Sequence, residues 1–315
     1  MFIKETENIE GKRILTYTGK SGEALRICPD LGATICQISL FRSGRLYRIL
    51  DEPTREEIGA NRWYKGSFLI PFPNRIQNGK YRFGNLIHQL PLNEEANNNA
   101  IHGFTDTKPF VLNSEDTRSG ELNLSLSYAY PGDYPGFPFP FLTEVSLRFS
   151  NDEGLTVGLH ITNTGEGPMP LGLGWHPYYK FDCPADQLLV QLPPVSRYNV
   201  DSRYIPDGSM SAFDDFYGSV AVGPRKLDHC FKIQSWDNLT QVRVTHPSGS
   251  PALRIWQEMG ERKFNYLVVF TPPWRDSFAV EPMSCNINAF NNGDGLYVLK
   301  AGDRAGGFFG VQLED

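Results

Sequence analysis

The sequence predicts an all-β protein built from many short antiparallel strands, arranged as a sandwich or a barrel. Apolar and polar residues alternate with a period of two, most clearly over residues 121–130. Turn-forming pairs such as Asn78-Gly79 and Pro131-Gly132 separate such segments. Long helical patterns are nearly absent, which argues against an α/β dinucleotide-binding fold because its parallel strands need crossover helices.

The other strand candidates share alternating or β-branched residues bounded by turn signals. They cover residues 26–28, 33–41, 80–84, 142–149, 155–161, 187–192, 241–246, 252–257, 265–270 and 277–281. Only residues 55–66 have the composition of a helix longer than two turns, and Gly59 weakens that prediction. No linker or change of composition divides the chain, so we predict a single domain over residues 1–315.

Charge and cysteine content exclude several classes of protein. Thirty Lys and Arg against 36 Asp and Glu give a net charge of −6, which argues against nucleic acid or an anionic membrane surface as a partner. No apolar stretch reaches the length of a membrane-spanning helix, and the start of the chain lacks a signal-peptide pattern. The five cysteines are scattered without a Cys-x-x-Cys pair, which favours reduced thiols and a cytoplasmic location.

Several common catalytic motifs are missing from the sequence. It contains no phosphate-binding G-x-x-x-x-G-K-[ST] loop, no G-x-G-x-x-G fingerprint, no G-x-S-x-G elbow and no H-E-x-x-H pair. Phosphoryl transfer, nicotinamide chemistry, α/β-hydrolase chemistry and zinc-protease chemistry therefore lose their usual sequence support.

Five polar clusters framed by glycine, proline and aromatic residues carry the groups suited to chemistry. They lie within residues 71–84, 97–104, 171–181, 205–231 and 278–291, and their candidate site residues are Asn74, Arg75, His102, His176, Asp228 and Glu281. Taken singly, most of these residues also fit a paired surface cation, a turn or a buried histidine. Glu281 stands out because it continues an apolar strand, where a carboxyl group needs a partner or a function. A metal site of His102, His176 and Glu281 is conceivable, but their spacing does not favour it.

At these clusters the sequence resembles the aldose 1-epimerase (mutarotase) family. The segments PNRIQNGKYRF, NNAIHGF, LGLGWHPYYKF, IPDG, LDHCF and AVEPMSCNINAFN follow the family's order along most of the chain. The resemblance implies a large antiparallel β-sandwich of the galactose mutarotase-like type, with a sugar site on a concave sheet. It also implies interconversion of the α and β anomers of a free aldose without a cofactor or a metal ion.

The resemblance also assigns roles by motif. Glu281 would be the general base and His176 the general acid, while Arg75, His102 and Asp228 would bind and orient sugar hydroxyls and Asn74 would support them. The partner would be a monosaccharide and the protein a monomer or a weak homodimer. A carboxylate and an imidazole suit proton transfer at C1 and at the ring oxygen. We expect burial to raise the pKa of the glutamate and the nearby carboxylate to keep the imidazole protonated.

Two departures from the family pattern concern residues outside the expected catalytic positions. Tyr179 stands where the family commonly has Phe, and Asp207 where it usually has Thr. Both are candidates for an influence on sugar preference. Aromatic residues for the apolar face of a sugar ring are abundant, and the sequence does not choose among Trp175, Tyr178 and Trp256.

Three alternative functions remain open at this point. A hexose 6-phosphate 1-epimerase would need additional cations near the site, for which Lys65, Lys80 and Arg82 are candidates. A non-catalytic sugar-binding module would not need a proton-transfer pair. A glycosidase would use Asp228 and Glu281 as its two carboxyl groups, at a separation of about 5–9.5 Å, and would leave His176 without a role.

Overall fold

Antiparallel strands dominate the computed structural model, which describes residues 1–60, 63–118, 120–235 and 237–315. In chain order the first strands are β1 Ile3–Ile9, β2 Lys12–Thr18, β3 Ala24–Cys28, β4 Thr34–Arg42, β5 Arg45–Arg48, β6 Phe68–Leu69, β7 Arg75–Gln77, β8 Lys80–Phe83, β9 Leu86–Gln89 and β10 Asn99–Ile101. The next are β11 Val111–Asp116, β12 Leu122–Tyr130, β13 Phe141–Ser150, β14 Gly154–Asn163, β15 Met169–Leu171, β16 Gly174–Trp175, β17 Tyr178–Tyr179, β18 Leu189–Gln191 and β19 Val195–Val200. The last are β20 Pro206–Phe213, β21 Val220–Ala221, β22 Asp228–Ile233, β23 Leu239–Thr245, β24 Ala252–Glu258, β25 Tyr266–Phe270, β26 Phe278–Met283, β27 Tyr297–Leu299 and β28 Arg304–Glu314.

Helices are short and few among the described residues. The α-helices are α1 Arg55–Ala60 and α2 Ala289–Asn292, and the 3-10 helices are Glu95–Asn97, Thr105–Thr107 and Ala185–Gln187. The helix predicted over 55–66 is therefore shorter than expected: it is described as far as Ala60, residues 61–62 lie outside the described residues, and Trp63 lies in a turn. None of the helices in the described part of the chain has the length and hydrophobicity of a membrane-spanning segment.

Two large sheets form the sandwich. One has nine strands in the order β11-β12-β13-β14-β28-β24-β23-β18-β21. The other follows the order β20-β19-β22-β25-β26-β16-β6, and β17 also pairs with β26. The strand predicted over 121–130 is β12, where Leu122, Leu124 and Leu126 are buried as the alternation requires.

The core lies between these two sheets. The indole of Trp175 in β16 stacks on the ring of Phe309 in β28, with 5.5 Å between the ring centroids. The side-chain amide of Gln257 in β24 donates hydrogen bonds to the carbonyls of Phe264 and Tyr266 at the opposing sheet. These contacts confirm the predicted all-β, antiparallel sandwich.

Smaller sheets complete the fold. Strands β1 to β5 form a five-stranded antiparallel meander, which the Arg42 side chain ties to the nine-stranded sheet through the Leu313 carbonyl. The pairs β7/β10, β8/β9 and β15/β27 each form a two-stranded sheet. The pair β7/β10 matters for function, because its register sets Arg75 opposite Ile101 and next to His102.

Candidate active site

Strands β22, β25 and β26 supply the floor of the candidate site. Asp228 lies opposite Phe270, and Val268 lies opposite Glu281. Directly opposed residues share a face of a sheet, and so do residues two apart in one strand. The two carboxyl groups therefore project from the same face, with the apolar side chains of Val268 and Phe270 between them.

All six candidate residues from the sequence line one pocket on this face. It has a volume of about 440 Å³, within the usual range for small-molecule sites. Its lining comprises Ala60, Trp63, Tyr64, Asn74, Arg75, Asn93, Glu94, Ile101, His102, His176, Tyr178, Asp228, Val268, Phe270 and Glu281. Clusters that are far apart in the sequence are thus brought together as expected.

Glu281 and His176 form a buried pair at the base of the pocket. The distance from Glu281 Oε1 to His176 Nε2 is 3.6 Å, and the two residues are 1% and 6% exposed. Hydrogen bonds from His176 N–H to the Ser67 carbonyl and from Gly66 N–H to the His176 carbonyl fix the backbone of His176, and the Tyr178 ring stacks on its imidazole. Glu281 Oε2 is buried and has no hydrogen-bond partner within the described part of the chain.

Burial shifts the pKa values of this pair in opposite directions. Desolvation, followed by repulsion from Asp228, raises the pKa of Glu281 well above its usual value, against a smaller opposing effect of Arg75. Desolvation also lowers the pKa of His176, to about 3. The expectation that a nearby carboxylate keeps this imidazole protonated is therefore wrong, because the loss of hydration on burial disfavours the charged imidazolium.

His102 is fixed as a neutral hydrogen-bond donor. Its Nδ1 accepts a hydrogen bond from the Asn74 backbone N–H at 3.2 Å, so the neutral ring carries its hydrogen on Nε2. Desolvation, then the charges of His176 and Arg75, lower its pKa well below the usual value. Both His102 and Asn74 have left-handed backbone conformations, with φ angles of 63° and 56°.

Arg75 is held by several groups at once. Its Nε lies 3.0 Å from both carboxylate oxygens of Glu94, and Nη1 donates to Asn74 Oδ1 at 3.2 Å. The Tyr204 ring covers the guanidinium at 4.5 Å from its centroid. Asp228 Oδ2 lies at 3.7 Å from Nη2, a longer ionic contact than the one with Glu94. Desolvation raises the pKa of Asp228, although Arg75 opposes this.

Of the three aromatic candidates, Tyr178 alone lines the pocket in the described residues. Its ring stacks on His176 with 4.8 Å between centroids and 15° between planes. Trp175 is buried between the two large sheets. Trp256 lies in β24 of the nine-stranded sheet, away from the site. Alternation along a strand identifies which residues share a face, but it does not reveal which face carries the pocket.

The two departures from the family pattern lie outside the pocket lining. Tyr179 is fully buried behind the site, and its hydroxyl has no partner in the described part of the chain. Asp207 lies in β20, where its exposed carboxylate accepts hydrogen bonds from Ser209. Neither position contacts a sugar in this pocket, so the expected influence on sugar preference has no direct structural basis.

The cations proposed for a phosphate group also lie elsewhere. Lys65 is buried between Asp51 and Glu57, at 3.2 and 3.1 Å. Lys80 and Arg82 belong to the β8/β9 hairpin. Within the described residues, Arg75 is the only Lys or Arg that lines the pocket.

Sequence reasoning missed five pocket residues that carry polar or aromatic groups: Trp63, Tyr64, Asn93, Glu94 and Phe270. Trp63 and Tyr64 fall in the segment predicted as helical, and Asn93 and Glu94 resemble an ordinary polar loop. Phe270 lies in a predicted strand, but the sequence does not indicate which face of the sheet carries its ring. In the described part of the chain, no group of three or more His, Cys, Asp and Glu side chains has the arrangement of a metal site.

The sequence profile of the aldose 1-epimerase family matches residues 16–309. The chain belongs to the aldose 1-epimerase family. The uncharacterized protein YihR of Escherichia coli K12 is 31% identical over 258 residues, which cover 78% of this chain and 78% of that protein. Family membership identifies the chain as a carbohydrate epimerase at the level of the family.

Solved structures show the same galactose mutarotase-like fold. A galactose mutarotase-like protein from Clostridium acetobutylicum superimposes with a TM-score of 0.87 at 20% identity, covering 100% of this chain and 99% of that one. A galactose 1-epimerase from Lactobacillus acidophilus gives a TM-score of 0.79 at 18% identity, with coverages of 100% and 99%. At these identities the similarity concerns the fold.

Proposed function

We propose that this member of the aldose 1-epimerase family interconverts the α and β anomers of a free aldose. One observation carries the proposal: Glu281 and His176 face each other at 3.6 Å, nearly inaccessible to solvent, at the base of a pocket lined by hydrogen-bonding side chains. Anomer exchange needs one proton removed from the C1 hydroxyl and one delivered to the ring oxygen. Two adjacent acid–base groups meet this need, and each positioned group contributes roughly 10²–10⁴-fold.

The pair works when it holds one proton. In ring opening, the Glu281 carboxylate takes the proton from the C1 hydroxyl and the His176 imidazolium gives its proton to the ring oxygen. The C1–O5 bond breaks, and the pair becomes a neutral carboxylic acid and a neutral imidazole. After rotation about C1–C2, ring closure reverses both transfers and forms the other anomer. The charged pair, with the proton on His176, therefore starts ring opening, and the neutral pair, with the proton on Glu281, starts ring closure.

The pKa shifts of the pair favour the placement that belongs to the open-chain sugar. At a pH between the lowered pKa of His176 and the raised pKa of Glu281, the single proton of the pair lies on the glutamate. Binding of a cyclic sugar must therefore favour its transfer to the imidazole. A sugar hydroxyl that donates to the unpartnered Oε2 of Glu281 stabilises the carboxylate and promotes this transfer.

The remaining pocket groups suit a neutral sugar. His102 offers an N–H donor, Asp228 offers acceptors, and Arg75 offers guanidinium donors, while Tyr178 and Trp63 supply apolar surface. With the proton on Glu281, the carboxylates of Glu94 and Asp228 still outnumber the one guanidinium among the described lining residues, which disfavours a phosphorylated sugar. A binding module would not require two buried groups poised for proton transfer.

We also propose that residues 1–315 act as a single domain in the cytoplasm, as a monomer or weak homodimer. One hydrophobic cluster includes residues from Phe2 to Leu313, which supports the single domain. All five cysteines are free thiols, in keeping with a reducing compartment.

Polarimetry or NMR anomer exchange on freshly dissolved glucose, galactose, arabinose and a hexose 6-phosphate tests the function. We expect faster equilibration of at least one free aldose and a lower kcat/KM for the phosphorylated sugar. Spontaneous rates with every aldose would refute the epimerase assignment, and a preference for the phosphate would refute the substrate class.

A further inference from the structure

Glu94 lies directly before the 3-10 helix Glu95–Asn97 and contacts the guanidinium of Arg75 along one edge. Arg75 Nε is 3.0 Å from each carboxylate oxygen of Glu94, and Nη2 is 3.0 Å from Oε1. Two side-chain amides hold the carboxylate from the other side: Asn97 donates to Oε1 at 3.0 Å and Asn99 to Oε2 at 2.9 Å.

These contacts leave Glu94 little capacity to bind a sugar itself. An ionised carboxylate has about four lone-pair positions, and the arginine and the two amides occupy as many. Burial opposes ionisation, but hydrogen bonds and attraction from Arg75, together with the amides of Asn99 and Asn97, outweigh it and lower the pKa of Glu94. The group is thus a fixed anion directed at Arg75.

The position of Arg75 determines how much of Asp228 is free. The shorter contacts to Glu94 hold the guanidinium at 3.7 Å from Asp228 Oδ2, outside ordinary hydrogen-bond distance. Without the anchor, the guanidinium has a second carboxylate close by with which to form a direct ion pair. Asp228 would then lose acceptor capacity for sugar hydroxyls, and Arg75 would lose donors.

We infer that Glu94 is a positioning residue that keeps the Arg75 guanidinium from closing on Asp228, so that both groups can bind sugar hydroxyls. This inference rests on the proposed function for its kinetic consequences, but the anchoring itself is a property of the protein alone. Glu94 does not contact the reacting atoms and acts through Arg75.

Glu94→Gln tests the inference, with Glu95→Gln as the matched control. Glu95 is the next residue, is exposed, and undergoes the same change of charge. We expect Glu94→Gln to raise KM by roughly 10- to 100-fold, the equivalent of one hydrogen bond to a charged group, with kcat changed far less. Glu95→Gln should retain the wild-type KM. An unchanged KM in Glu94→Gln, with only a lower Tm, would overturn the positioning role.

The pH profile provides a second readout that a purely structural role would not move. The negative charge of Asp228 helps to raise the pKa of Glu281. If the Arg75 guanidinium closes on Asp228, it offsets that negative charge. The alkaline limb of kcat/KM should therefore shift to lower pH in Glu94→Gln and stay in place in Glu95→Gln. A shift to higher pH, or none, would contradict the inference.

A third readout separates this inference from the proposed function. The Arg75 Nε–H resonance in ¹H–¹⁵N NMR should be protected from exchange in the wild type and lose protection in Glu94→Gln, whether or not any sugar is epimerised. If Glu94→Gln does not fold, Asn97→Ala removes one of the two amides and should produce smaller changes in the same directions. An Arg75 signal that is unchanged in Glu94→Gln would refute the anchoring, even if the protein is an active epimerase. If Glu94→Gln does not fold, an unchanged Arg75 signal in Asn97→Ala would refute it in the same way.

Discussion

Replacing Glu281 with glutamine tests its proposed role as the general base. The amide has nearly the shape of the carboxyl group but cannot accept the C1 proton as a base. We expect the anomer-exchange rate to fall by about 10²–10⁴-fold, while sugar binding measured by calorimetry changes little. Glu153→Gln, at an exposed position between β13 and β14, is the control with the same chemical change and should exchange anomers at the wild-type rate.

The same substitution has a pH-dependent effect on stability. Because the native pKa of Glu281 is raised, the native state binds its proton more tightly than the unfolded chain does. Native stability is therefore lost as the pH rises above the usual glutamate pKa of 4.5 towards the raised value, at about 1.4 kcal/mol per pH unit. Glutamine does not ionise, so the Tm of Glu281→Gln relative to wild type should increase from about pH 5 to pH 7.

Two results would refute this reasoning. A near-normal rate of optical-rotation decay in Glu281→Gln would show that the base lies elsewhere. A difference in Tm that stays constant with pH would show that Glu281 titrates normally in the native protein. The first result removes the catalytic assignment, and the second removes the buried proton from the mechanism.

Three further predictions concern other groups. The acid limb of kcat/KM should lie well below pH 6.5, because the pKa of His176 in the free protein is lowered to about 3; a limb at the usual histidine pKa would contradict this. His176→Asn should lower kcat more than it raises KM, since the acid acts in the transition state, and a rise in KM alone would make it a binding residue. Gly103→Ala should reduce the free energy of unfolding by about 1–3 kcal/mol in a denaturant titration, because φ is +73° and the added Cβ would lie 2.0 Å from the Ile70 carbonyl oxygen. Gly84→Ala has a similar φ of +59° with no atom within 4 Å, so a loss as large as that of Gly103→Ala would refute the steric contribution.

The parts of the fold that follow local rules were predictable from the sequence. The alternation over 121–130 gives strand β12 with the expected buried leucines, because a half-buried strand imposes a period of two. Glu281 was identified because a carboxyl group in an apolar strand is costly without a function. Its partner His176 was identified only in combination with the family motif, since a lone histidine before a proline also fits a structural role.

The parts of the site that depend on tertiary pairing were not predictable in this way. Glu94 sits in a run of polar residues that resembles a solvated loop, and its role arises because strands β7 and β10 pair in a register that brings Arg75 beside it. Tyr204 covers the same guanidinium from a segment more than 100 residues away. No local pattern records such a contact.

Burial of Glu281 and His176 has two opposite effects on the proposed reaction. In the proposed mechanism, burial places Glu281 and His176 3.6 Å apart at the same site, but it also disfavours the charged placement from which a cyclic sugar opens. The sugar must therefore bring the hydrogen bonds that stabilise the carboxylate. Those bonds form only if the hydroxyls arrive in one orientation, which requires His102 and Arg75 to be fixed before binding. Arg75, and through it Glu94, thus influences the proton on the glutamate without contacting it.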